Sequence, residues 1–255
     1  MARPAVIASR SRAEIEGIRL AGKIVARAFD NVEGLVGPGV RTEEIDRAVE
    51  RLVLDSGGQL LFKGYRGFPF NTCISINEEV VHGFPGRRKI VSGDIVSVDI
   101  GVGFDGWCAD AARTFLVGEV TPEKKALVEA ARNALAAAIR VLRPGMRLVE
   151  LSKVIQAHVE SCGFSVVRSY VGHGIGRKMH EEPQIPNFVD GSVSQATTVL
   201  PEGCCLAIEP MVNAGTFEVE TLANAWTVVT RDKRPSAHWE DTVAVTADGP
   251  LVLTA

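Results

Sequence analysis

Residues 35–57 and 141–163 match at one ungapped offset of 106 positions. Pro38/Pro144, Gly39/Gly145, Arg41/Arg147, Glu44/Glu150 and Gly57/Gly163 are identical, and Ile45/Leu151 and Val49/Ile155 are similar. A helix is expected ahead of each copy. The first covers 11–36, with Ile15, Ile18, Val25, Phe29, Val32 and Val36 at three- and four-residue steps. Ser11 and Glu14 have capping-box spacing, and Gly37-Pro38-Gly39 stops the helix. Thr42 then caps a second helix that ends at Gly57-Gly58. The later counterpart of the first helix covers 123–142, capped by Thr121 with Pro122 in its first turn. Each helix pair leads into a strand-rich region. P-G turns between amphipathic helices could produce some of this likeness alone, but identity at a single offset favours an internal duplication. The expected fold is α+β, an antiparallel sheet backed by helices, in one domain over 1–255. Its pseudo-twofold halves cover roughly 11–118 and 121–250, so a site where they meet is central.

The strand-rich part of the first half contains a hairpin, residues 94–103 and 107–117, turning at Asp105-Gly106. That turn pairs Phe104 with Trp107, Gly101 with Asp110 and Asp99 with Ala112. Asp99 and Asp110 are then diagonal neighbours on one face, about 7–8 Å apart at Cα. Val96, Val98 and Ile100 mark this strand as buried, where unpaired acids are costly unless a cation neutralises them. In the second half, Glu209 follows Gly203 by six residues, as Asp99 follows Gly93. Glu240 leads into the apolar T-V-A-V-T, and His173 stands among glycines in Y-V-G-H-G-I-G.

Any one of these is weak alone: strand acids usually face solvent, and a lone histidine such as His158 or His238 is usually a surface or satisfied residue. Together, Asp99, Asp110, His173, Glu209 and Glu240 make a hard, oxygen-rich donor set. It suits a pair of divalent ions such as Mn, Fe, Co or Zn with open positions. Two such ions lower the pKa of a bridging water and polarise a carbonyl, which is the chemistry of hydrolysis. No G-x-S-x-G elbow or phosphate-binding G-x-x-x-x-G-K-[ST] offers another mechanism.

Lys and Arg number 28 against 31 Asp and Glu, so no basic excess points to nucleic acid. The runs Arg87-Arg88-Lys89 and Arg231-Asp232-Lys233-Arg234 read as solvated turns, with a transient ribosome contact as the alternative. Five cysteines, with no C-x-x-C pair, argue against a disulfide framework and a cysteine-type zinc site. With neither a signal-peptide pattern nor a membrane-length apolar run, the expected location is cytoplasmic. Residues 179–201 read as an irregular loop bordering a cleft.

Five segments carry a family likeness: N-T-C-I-S-I-N-E-E-V-V-H-G-F-P-G, the hairpin D-I-V-S-V-D-I-G…W-C-A-D-A-A-R-T-F, G-H-G-I-G-R-K-M-H-E-E-P, I-E-P-M-V-N-A-G and H-W-E-D-T-V. In this order, over nearly the whole chain, the sequence resembles the type I methionine aminopeptidases of the pita-bread metallopeptidase fold. The resemblance implies a dinuclear centre (Co, Mn, Fe, Zn or Ni) on the five side chains above. It implies that a metal-bridging hydroxide releases the initiator methionine of nascent chains and peptides, the free α-amine binding one metal. His82 and His180 would contact the substrate amide and stabilise the tetrahedral intermediate, and Glu209 would shuttle the proton. Tyr65, Phe68, Cys73, His82, Met179, His180 and Trp226 match the methionine pocket, and bulk beyond it implies a small second residue. Asn77 and Ser236 match positions that help hold a monovalent cation. A monomer is expected.

Several residues depart from the commoner pattern: Phe62, Arg66, Cys108-Ala109, Met179 and Asp241. None removes a ligand; they bear on pocket shape and metal preference. Glu209 and Glu240 lie 31 positions apart, too close for the helical insert of type II enzymes. Two alternatives share the fold, an X-Pro aminopeptidase or prolidase and a catalytically silent binding protein. The first usually carries an extra N-terminal domain, and the second typically loses ligands.

Overall fold

The computed structural model describes residues 6–255. The reading of the N-terminus as no leader falls partly on residues 1–5, outside the described range. Helix α1 (Arg12–Glu33) opens with the expected capping box: Ser11 Oγ accepts from Glu14 N, and Glu14 accepts from Ser11 N at 2.9 Å. It ends three residues before Val36, where the Leu35 and Val36 amides both turn back to the Val32 carbonyl. Helix α2 (Thr42–Asp55) is capped at Arg41, not at Thr42. Glu44 takes the Arg41 amide at 2.7 Å, while the Thr42 hydroxyl is committed to Gly86, accepting its N–H at 2.8 Å and donating to its carbonyl at 3.1 Å. Helix α3 (Pro122–Val141) is capped by Thr121, as expected. Helix α4 (Leu148–Ser161) repeats the start of α2, with Glu150 taking the Arg147 amide at 2.8 Å.

All the strand pairs are antiparallel. The hairpin strands Ile95–Phe104 and Trp107–Leu116 pair Phe104 with Trp107, Gly101 with Asp110 and Asp99 with Ala112. Asp105 and Gly106, with φ of 49° and 73°, form the left-handed pair such a two-residue turn requires. Cys73–Ile76 extends this sheet on the other side of Ile95–Phe104. A five-stranded sheet runs Gly249–Val252, Asp241–Thr246, Cys205–Ile208, Gly172–Gly174, Glu181–Ile185. The last strand corrects the reading of 179–201 as irregular, as does the short helix α5 (Val193–Thr197). The backbone around Glu209 leaves the ladder, because Pro210 has no N–H to give it. Cys205–Ile208 and Met211–Asn213 pair in different sheets, and Glu209 stands at the junction.

Helix α1 packs on both hairpin strands, burying Ile18, Val25 and Val32 completely. In the second half α3 and α4 pack together, with Leu127, Leu151 and Ile155 in a core shared with Leu206, Ile208 and Val243. Each fully buried aliphatic contributes about 1.5–3 kcal/mol. The hairpin and the second half are joined along a seam. Ala112 and Glu240 exchange backbone bonds at 3.3 and 3.0 Å. The Thr242 hydroxyl bridges the Asp110 N–H and carbonyl, and the Thr114 hydroxyl bridges those of His238. Arg113 crosses the same seam, donating to the Glu240 carbonyl and, at 2.6 Å, to Asp241 Oδ1.

Gly22 lies inside α1, where alanine would ordinarily stabilise a helix by about 0.8–1 kcal/mol. A Cβ there would stand 2.0 Å from the Leu253 carbonyl oxygen, which is backbone and cannot swing away. Overpacking costs about 1–3 kcal/mol and outweighs the propensity gain. Gly22→Ala should therefore lower the thermal midpoint by up to about 8 °C, measured by circular dichroism, from a net cost of up to about 2 kcal/mol at about 2–4 °C per kcal/mol. A raised or unchanged midpoint contradicts this.

Candidate metal centre

The carboxylate and imidazole donor atoms of Asp110, His173 and Glu240 lie within 4.8 Å of one another. Asp99 lines the same cavity beside Asp110, whose charge it feels, and Glu209 Oε1 stands 3.7 Å from His173 Nε2. The hairpin supplies Asp99 and Asp110. The second half supplies His173 from the strand Gly172–Gly174, Glu209 after Cys205–Ile208, and Glu240 at the seam. All five line one cavity of about 890 Å³.

Burial sets the electrostatics. It pushes the Asp99, Glu209 and Glu240 carboxyls well above the ordinary range, and the neighbouring acids push them further. Asp110 is raised by burial to about 7, with Asp99 and the Ala111 amide opposing the rise. Burial also holds His173 neutral, down to about 4. His173 Nδ1 lies 3.0 Å from the Gly174 carbonyl, which can only accept. Nδ1 therefore carries the proton, and Nε2 keeps its lone pair toward the carboxylates.

Among the described residues no Lys or Arg side chain pairs with any of the four acids. Asp99 Oδ1, Asp110 Oδ1 and Glu240 Oε1 are buried without a hydrogen-bond partner. Four acids, one neutral imidazole and three orphaned oxygens fit hard divalent cations.

The expected pocket residues surround the same cavity. Tyr65, Phe68, Cys73, His82, Met179, His180 and Trp226 all line it, together with Phe62. Phe68 meets Trp226 edge-on at 5.1 Å and Phe84 at 5.4 Å. Burial and then Asp99 raise the Cys73 thiol well above its usual range, so it serves as a small apolar wall. His180 stacks on Tyr65 at 5.1 Å and lies 4.2 Å from His173. Its pKa is lowered by burial and then by Arg66. His82, in a left-handed turn with φ of 58°, is lowered by burial and then by His180 to about 4. Asn77 and Ser236 meet each other outside this cavity, Ser236 N donating to the Asn77 carbonyl at 2.8 Å. The Asn77 side-chain oxygen accepts from Lys124 Nζ at 2.8 Å.

His238, expected to be a surface or satisfied histidine, is buried, with Nε2 unpartnered and 3.6 Å from Glu209 Oε2. Burial lowers it to about 3. Its place two residues before Glu240 was the only signal in the sequence, and the strand Ser236–His238 ends before Glu240, so no shared strand face announced it. No sequence pattern announced Arg113, whose guanidinium lies 5.2 Å from both the Phe29 and Trp239 rings while holding the Glu240 segment.

Residues 16–247 match the model of metallopeptidase family M24. The methionine aminopeptidase of Clostridium perfringens is 45% identical over 249 residues, covering 98% of this chain and 99% of that protein. Methionine aminopeptidase 1 of Mycobacterium tuberculosis is 40% identical, covering 98% of this chain and 95% of that protein. The crystal structure of the Thermotoga maritima methionine aminopeptidase superposes with a TM-score of 0.93 at 43% identity, covering 98% of this chain and 99% of that one. The prolidase of Pyrococcus furiosus shares the fold at a TM-score of 0.77 and 24% identity, with 97% of this chain covered and 65% of that one.

The raised carboxyl pKa values fix a pH dependence for chelated protein. An acid whose folded pKa exceeds its unfolded value stabilises the fold below the unfolded pKa, and that contribution is lost as pH rises through the folded one. With Asp110 raised from 3.8 to about 7, its contribution is lost between about pH 4 and 7, while the buried histidines, lowered from 6.5, act in the opposite sense; the thermal midpoint of chelated wild-type protein should therefore fall across that window relative to chelated Asp110→Asn. Saturating divalent ion should flatten the curve, because it satisfies the ionised carboxylates. A wild-type midpoint that rises across that window relative to Asp110→Asn contradicts the assignment.

Proposed function

The chain belongs to metallopeptidase family M24, and on that premise we propose how its cavity releases an N-terminal methionine. The enzyme is a metalloexopeptidase that removes N-terminal methionine. The observation that carries the residue assignment is one cavity joining five ligand-type side chains, three of their oxygens orphaned, to an aromatic slot. Asp99, Asp110, His173, Glu209 and Glu240 would hold two divalent ions drawn from Co, Mn, Fe, Zn and Ni. Such a pair supplies, when bound, a water of lowered pKa and polarises the scissile carbonyl.

The remaining work falls to the chain's own groups. Phe62, Phe68, Cys73, Met179 and Trp226 form an apolar slot suited to an unbranched thioether, whose sulfur packs favourably against ring edges. His82 and His180, neutral at physiological pH, can hydrogen-bond the peptide N–H and carbonyl oxygen without bringing a competing charge. Glu209, with its raised pKa, is suited to take a proton and return it to the leaving amine. A small second residue is expected from the family resemblance. An X-Pro specificity rests on fold likeness alone, and a silent binding protein is disfavoured by the complete ligand set.

We place the enzyme in the cytoplasm as a monomer acting on peptides and nascent chains. All five cysteines are free, and no helix among the described residues is long and apolar enough to cross a membrane. Of the two basic runs, the one at 231–234 has its three cations paired with Glu218, Glu220 and Glu123, whereas in 87–89 only Arg88 is paired, with Glu79, which makes 87–89 the better candidate for a transient ribosome contact. A monovalent cation near the Asn77 and Ser236 backbones remains a proposal from the family resemblance.

Chelation should abolish methionine release from Met-Ala-Ser, and restoring Mn, Fe, Co, Ni or Zn singly should recover it for at least one ion. Asp110→Asn and His173→Ala should each lower kcat/KM by more than about a hundredfold, since even residues behind metal ligands are worth about 10–100-fold. X-Pro peptides should be poor substrates. Full activity after complete metal removal, or faster cleavage of X-Pro peptides, contradicts the proposal.

A further inference from the structure

Arg66 sits at the centre of the tight turn Tyr65–Gly67, with φ of 49° and ψ of 24°. Side chains other than Gly, Asn and Asp rarely adopt that conformation, so a long charged residue there invites a functional explanation. The side chain is exposed yet lines the active-site cavity. Its guanidinium lies 5.4 Å from the Tyr65 ring, which stacks on His180, which in turn stands 4.2 Å from His173. Arg66 is thus the outermost member of a row that starts at the metal ligands. It makes no ion pair or side-chain hydrogen bond with any described residue.

Lys178, two residues before His180, lines the same cavity, is exposed and has an equally unpaired ammonium group. Two acids on this side of the cavity could offset the pair. Glu181 is already bound by Arg10, while Glu182 is exposed without a partner. Among the described residues the mouth therefore presents two free cations against one free carboxylate.

We propose that Arg66, assisted by Lys178, makes this enzyme favour an acidic residue at the third position of its substrate. This rests on the methionine-releasing reading above. With methionine in the aromatic slot and a small second residue past the scissile bond, the third residue is the first with a sizeable side chain outside the slot. Its Cα lies about 7 Å from the methionine Cα in an extended peptide. The steps from His180 to the Tyr65 ring and on to the Arg66 guanidinium are 5.1 and 5.4 Å, a span that a glutamate side chain added to the extended backbone can cover. A carboxylate there meets a planar five-donor fork that no acid among the described residues has claimed.

The test compares Met-Ala-Glu-Ser, Met-Ala-Gln-Ser and Met-Ala-Lys-Ser on the metal-loaded enzyme at low and high salt. The expected order of kcat/KM is Glu, then Gln, then Lys. Glu should exceed Lys by roughly two- to fivefold at low salt, the range of an exposed ion pair, chiefly through KM. Added salt should shrink the ratio. Arg66→Asn, chosen because asparagine tolerates the left-handed backbone, should bring the ratio toward one, and Lys178→Gln should reduce it less. Because the ratio is taken within one preparation, a partly folded variant does not disturb it. Equal rates on the three peptides in the wild type, or an unchanged ratio in Arg66→Asn, overturns the proposal. Absence of methionine release from all three overturns it together with the reading beneath it.

Discussion

Everything at the centre of this molecule answers to one constraint. Asp99, Asp110, Glu209 and Glu240 are gathered where water is scarce, and no lysine or arginine side chain among the described residues pairs with them. An isolated ionised carboxylate in such a place costs several kcal/mol even after the surroundings relax. The chain alone can lower that cost only by keeping protons on the acids, and their raised pKa values reflect this. Divalent cations remove the conflict. The folded state therefore has a built-in demand for the ions its chemistry needs. His173 fits this logic because it is held neutral with one nitrogen committed to backbone and the other free.

The acids can converge because the hairpin and the second half are joined by a short run of specific bonds rather than by a broad sheet. Two threonine hydroxyls substitute for backbone partners at Asp110 and His238, and Arg113 holds the Glu240–Asp241 segment from the hairpin side. We propose that the halves derive from a duplication. The support is the paired helix starts at Arg41 and Arg147 and the matching left-handed glycines, Gly39 with Gly145 and Gly57 with Gly163. On that view the site sits at the pseudo-twofold because only there can acids from both copies reach the same ions.

Local rules made the hairpin legible in the sequence. An Asp-Gly turn fixes the phase, and period-two alternation then fixes which side chains share a face, so the Asp99 and Asp110 relationship could be worked out before any coordinates. The donor set was legible for a related reason, since acids inside apolar strands are an energetic contradiction that points to a missing cation. What escaped depends on contacts distant in sequence. Thr42 looks like a helix cap until Gly86 claims its hydroxyl. The polar, proline-containing strand Glu181–Ile185 is ordered by pairing with Gly172–Gly174, which its own composition does not announce. His238 is unremarkable as a single residue and gains meaning only when Glu209, 29 positions earlier, stands across from it. The methionine pocket was reached by family resemblance, because aromatic residues scattered from Tyr65 to Trp226 have no local pattern that separates a slot from ordinary core.

The central claim concerns where cations sit, and anomalous diffraction locates them directly. Crystals grown with manganese, measured on both sides of its absorption edge, should show two peaks about 3.5–4 Å apart. Both should fall among Asp99, Asp110, His173, Glu209 and Glu240, with at least one ligand to each ion from either side of the seam. Peaks confined to other surfaces, or none within reach of those five side chains at saturating manganese, would contradict the account.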